Sequence, residues 1–87
     1  MEKYLPIGSI VRLKGGTKRI MIYGRKQISA DSGAIFDYVA CFYPEGNISD
    51  QYTFLFNHDN IEEVVFKGFS DEEEEKFSRE ILGGKKE

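Results

Sequence analysis

At 87 residues the chain fits one small domain, and with 40% hydrophobic and 14% aromatic residues its composition is globular rather than disordered. A lone cysteine, Cys41, excludes an internal disulfide framework, and no apolar run approaches the roughly 20 residues of a membrane helix. The net charge of −3 conceals a division: residues 1–26 carry seven Lys or Arg against one acid, whereas residues 27–87 carry five basic against fourteen acidic side chains.

The opening MEKYLPIGS lacks the apolar core of a signal peptide, so a cytoplasmic location is expected. GSIVRLK at 8–14 ends in alternation, with Val11 and Leu13 on one face and Arg12 and Lys14 on the other, which predicts a half-buried strand. Gly15-Gly16 then reads as a tight turn, because glycine reaches the positive φ values that such turns need. KRIMIYG at 18–24 resumes a strand, with Gly24 at a bulge or at the strand end. RKQISADSG at 25–33 is polar and predicts a loop.

AIFDYVACFY at 34–43 is the densest run of aromatic and β-branched residues and predicts the strongest strand. PEGN at 44–47 is a turn, ISDQYTFLF at 48–56 a strand or two short pieces, NHDN at 57–60 a loop or helical turn, and IEEVVF at 61–66 a further strand. From Ser70 the character changes. Ser70 and Glu73 have the spacing of a capping box, the acids of 71–73 suit the positive end of a helix dipole, and Phe77, Ile81 and Leu82 form a narrow apolar stripe. Gly83-Gly84 stops this helix, expected at about 71–82, and the tail at 83–87 is expected to fray.

The fold class expected is mainly β with a C-terminal helix. It is a small curled antiparallel sheet or SH3-like barrel of about five strands within residues 8–66, capped by one short amphipathic helix, in a single domain spanning 1–87. The expected core is Val11, Leu13, Ile20, Ile22, Ile35, Val39, Val64, Phe66, Phe77 and Ile81.

Catalytic and cofactor chemistry find little support in these residues. The double glycine does not follow the G-x-x-x-x-G-K-[ST] pattern, and a strand rather than a helix follows it, so no phosphate loop is expected. His58 is the only histidine, and a metal site ordinarily draws on two or more His or Cys ligands. His58 is therefore expected to serve a backbone turn. Cys41 lies mid-strand with nothing basic beside it and reads as a buried structural thiol. The acids at 71–75 lack the glycine-containing loop of a calcium hand. The expectation is a non-enzyme without catalytic residues, metal or cofactor.

Three stretches together resemble a known family: YLPIGSIVRLKGGTKRIMIYGR at 4–25, DYVACFYPEGNI at 37–48 and FNHDNIEEVVFKGFSDEEEEKF at 56–77. They are similar to a small family of Gram-positive bacteria, domain of unknown function number 4176. The resemblance brings no catalytic or binding residues. It implies a context, since such proteins are often encoded near type VII secretion machinery and its LXG-type toxins, where small accessory, chaperone and immunity proteins are found. A protein-interaction module, an adaptor or chaperone-like accessory to such a toxin, is thus the leading expectation, with Phe42, Tyr43, Tyr52, Phe54 and Phe69 as candidate partner-binding residues. A nucleic-acid-binding barrel is the alternative, with Arg12, Lys14, Lys18, Arg19 and Arg25 as phosphate contacts, although the acidic pI near 5.2 speaks against it. A toxin-neutralising immunity protein is a third reading. No membrane insertion is expected, and homo-oligomerisation is left open.

Overall fold

The computed structural model describes residues 4–82. Five strands form one antiparallel sheet: β1 Ile10–Leu13, β2 Ile20–Ile28, β3 Ile35–Phe42, β4 Thr53–Phe56 and β5 Ile61–Phe66. Their order across the sheet is β4-β3-β2-β1-β5. The first four strands follow one another as a meander, and β5 returns to pair with β1 at the far edge. A helix, α1 Glu72–Phe77, follows and widens into a π-helical turn at Ser78–Leu82. Among the described residues no helix is long and apolar enough to cross a membrane.

The sheet is open, with β4 and β5 as its edges, but it cannot be flat. Four strand spacings in a flat sheet would separate those edges by about 19 Å. Residues 57–60 alone connect them, and His58–Asn60 is wound into a 3₁₀ turn. Even fully extended, that link would reach only about 17 Å. The chain therefore curls the sheet until β4 and β5 approach one another, without pairing them into a closed barrel. The expected curled sheet is present, and the SH3-like closure is not.

The concave side holds the core: Val11, Ile20, Ile22, Tyr38, Ala40 and Phe56, joined by Tyr4 from the N-terminal segment and Leu82 from the π turn. Leu13 packs against it, and Val39 is buried. Five of the expected core residues lie outside. Ile35 pairs with Ile28 at the far end of the β2–β3 hairpin, beyond the reach of the core, and both are exposed. Val64 and Phe66 are exposed because β5 has a neighbour on one side only and its register against β1 shifts twice, which breaks the two-residue alternation. Phe77 and Ile81 give way to Ser78 and Leu82, the residues that α1 and its π turn bury.

That last change is a rotation by one residue, about 100° of helix. The N-cap moves in the same sense: Asp71, not Ser70, accepts the backbone N–H of Glu74, at 3.0 Å. The tail at 83–87 lies outside the described residues. A second correction concerns 25–33, where β2 runs on to Ile28 and only the connection 29–34 is loop, closed by Ser29 N–H on the Ala34 carbonyl at 2.8 Å. The polar residues that suggested a loop are strand residues whose side chains find partners elsewhere, as Arg25 shows below.

Two of the glycines shape the sheet, one through its conformation and one through the space it leaves. Gly15, with φ +82°, is the third residue of the turn in which Gly16 N–H donates to the Leu13 carbonyl at 3.0 Å. Gly24 sits at the bulge in β2, where a Cβ would lie 2.6 Å from Val39 Cγ1.

Candidate interaction surfaces

Three of the five aromatic candidates come together. Phe42 at the end of β3 stands beside Phe54 on β4, with ring centroids 5.1 Å apart, and beside Tyr52 in the turn before β4, at 5.4 Å. Lys18 lies 5.5 Å over the Phe42 ring and pairs with Glu45 at 3.0 Å, a contact that lowers the Glu45 carboxyl. Leu13, Ile20, Phe42, Phe54 and the Gly15-Gly16 turn line an apolar groove of about 420 Å³ beneath the β1–β2 hairpin. Tyr43 is exposed next to this cluster, its backbone N–H on the Arg19 carbonyl at 3.0 Å. Phe69 lies elsewhere, beside Ile7 and Phe77.

The five basic candidates do not form one face. Arg25 is withdrawn into the protein, its side chain only 6% exposed, and its guanidinium grips Glu74 of α1 through Nη1–Oε2 and through Nη2–Oε1 at 2.9 Å. Nη1 also donates to the Leu5 carbonyl at 3.1 Å, and the guanidinium lies 5.6 Å over the Phe77 ring. Arg12 pairs with Glu63 across the β1–β5 ladder at 3.3 Å. With Lys18 held by Glu45, Lys14 and Arg19 are the candidates that make no ion pair among the described residues. The basic N-terminal third and the acidic remainder thus face each other at three points.

His58, expected to serve a backbone turn, instead turns its ring into a part-buried polar cluster, and Asn57 and Asn60 hold the turn. Tyr38 takes the Leu5 N–H on its hydroxyl at 2.8 Å and lies 3.2 Å from His58 Nδ1. Asp37 accepts the His58 backbone N–H at 2.8 Å and the Tyr4 hydroxyl at 3.4 Å. The rings of Tyr4, Tyr38 and His58 meet edge to face, 5.0 to 5.7 Å apart. Tyrosine, histidine and aspartate in a row superficially suggest an activated nucleophile. The Tyr38 hydroxyl belongs to a residue with no exposed surface, though, and burial pushes it up to about 12. It is a protonated strut that fastens the N-terminal segment and the 57–60 turn to β3. Burial likewise raises the Cys41 thiol, as expected of a structural cysteine. Among the described residues, no group of three or more His, Cys, Asp or Glu side chains has the geometry to hold a metal.

Residues 4–77 match the family described as Domain of unknown function (DUF4176). The chain belongs to that family. No curated protein and no solved structure matches it significantly. The matched span runs from Tyr4 to Phe77, so it includes the polar cluster, the groove and the Arg25–Glu74 pair.

Proposed function

We propose that this DUF4176 protein is a non-enzymatic protein-interaction module, an accessory or chaperone-like adaptor for an LXG-type toxin of a type VII secretion system. The observation that supports it is the aromatic groove. Phe42 and Phe54, half-buried, line it, and the exposed Tyr52 packs on Phe42 beside it, all with tilted rings; aromatic side chains are what protein interfaces concentrate at their centres. The secretion context comes from the resemblance and from the company such proteins keep. The pairing of Arg12, Lys18 and Arg25 weighs against the nucleic-acid reading, since those charges already have carboxylate partners.

The test is co-expression with an LXG-type toxin followed by size-exclusion chromatography of nuclease-treated lysate. The two chains are expected to elute together, and Tyr52→Ala, at an exposed ring, is expected to separate them. Independent elution of the wild-type chains removes the toxin from the reading. Co-elution that Tyr52→Ala leaves intact removes the groove.

A further inference from the structure

A second surface lies at the other end of the sheet. The β1–β2 turn marks one end of β1, and Ile7, just before the strand begins, marks the opposite end. There Ile7, Phe69 and Phe77 line a shallow, open pocket of about 470 Å³. Its remaining walls are Asp71, Glu73 and Glu74.

Phe69 is 79% exposed, the most exposed large apolar side chain among the described residues, and the chain around it is held firmly. Gly68 on its near side is buried, its N–H donating to Ser9 Oγ at 2.9 Å. A Cβ at Gly68 would collide with the Ile7 carbonyl oxygen. Two residues beyond Phe69, Asp71 caps α1. With both flanks fixed, the exposed ring is held in place. The pocket wall is equally fixed, because the Arg25–Glu74 pair ties α1 to β2 and the guanidinium backs the Phe77 ring. A pre-positioned apolar surface loses little freedom on binding.

Charge selects the occupant. Asp71 and Glu73 stand at the rim with no cation paired to them among the described residues, while Glu74 is neutralised by Arg25. Glu72 and Glu75 add negative charge to the same helix, and Lys76 is its only base. A second copy seated symmetrically would bring the same acids face to face. We propose that this pocket docks a basic segment of a partner protein, in which one bulky apolar side chain inserts between Ile7, Phe69 and Phe77 and flanking Lys or Arg meet Asp71 and Glu73. The site is separate from the aromatic groove and does not depend on it.

The experiment is selection of a random peptide library displayed on phage against the intact protein, with the enriched peptides then synthesised and titrated. Phe69→Ser and Glu73→Gln change exposed side chains, and an unchanged thermal transition shows that each remains folded. Enriched peptides are expected to carry Lys or Arg around a Leu, Ile, Phe or Met. Their affinity is expected to fall about tenfold in Phe69→Ser and to weaken with salt and in Glu73→Gln. Failure to enrich any peptide overturns the proposal, as do acidic peptides or peptides indifferent to Phe69→Ser. Peptides that lose affinity in Tyr52→Ala instead belong to the groove and also overturn it. Self-association of the protein that Phe69→Ser abolishes would assign the face to a second copy and overturn it too.

Discussion

Arg25 and Glu63 show how the same chemistry carries different weight in different surroundings. The Arg25–Glu74 pair is buried and bidentate, so removing one partner strands the other charge in a poorly solvated site. Glu74→Ala is expected to lower the unfolding free energy by about 3 kcal/mol, read from a denaturant titration. Glu63, 56% exposed and paired with Arg12, is expected to cost less than about 1 kcal/mol when changed to Ala, because water already solvates that pair. Equal losses in the two variants would contradict this account.

Tyr38 extends the argument to pH. Its folded value, about 12, lies above the ordinary 10.0, so the fold favours the neutral phenol. The stability this contributes is complete below pH 10 and is lost as pH rises toward and through 12. Tyr38→Phe leaves the Leu5 N–H without its partner and is expected to cost about 1–3 kcal/mol at neutral pH. The variant has no phenol to ionise, so the gap between it and the wild type should narrow above pH 10, as seen in denaturant midpoints at pH 8 and pH 11. A gap that stays constant would show that the hydroxyl does not ionise on unfolding.

At the level of elements, the C-terminal helix is the sharpest case. A pattern reading places Phe77 and Ile81 inward, whereas Leu82 is 6% exposed and Phe77 43%. Leu82→Ala should therefore cost about 2–4 kcal/mol and Phe77→Ala about half as much, since Phe77 loses mainly its contact with Arg25. Thermal melts of the two variants give the order directly, and the reverse order would restore the original stripe. The β5 edge shows a different principle. Its alternation is interrupted by two register shifts against β1, so three of its four apolar residues, Val64, Val65 and Phe66, are exposed without any signal in IEEVVF itself. Conversely, the continuation of β2 through polar residues to Ile28 becomes intelligible only once Glu74 is seen to receive Arg25.

Across the whole molecule, the pieces are tied at points far apart in sequence. The N-terminal segment is pinned by Tyr38 and Arg25, α1 by Glu74, and the π turn by Lys26, whose Nζ donates to the Leu82 carbonyl at 2.9 Å. With so many cross-ties to β2 and β3, sheet and helix should unfold in one transition. Far-ultraviolet circular dichroism and the near-ultraviolet signal of the tyrosine cluster are expected to give coincident curves. An earlier loss of helical signal would mean that α1 is docked more loosely than the Arg25–Glu74 pair implies.

The sequence by itself determined what local chemistry can determine. Five strands, most of their turns, a C-terminal helix, a structural cysteine and the family all follow from alternation, from glycine and proline placement and from motif. Side-chain propensity acts over a few residues, and those few are visible in the string. The aromatic character of Phe42, Tyr52 and Phe54 was equally legible, but not their meeting around one ring. Tertiary structure decided whatever depends on distant partners: which face of the helix turns inward, which arginine is buried, and that Phe69 stands exposed beside a glycine packed against the Ile7 carbonyl. It also decided that a four-residue connection would curl the sheet, because that constraint acts between its two edges rather than within any strand.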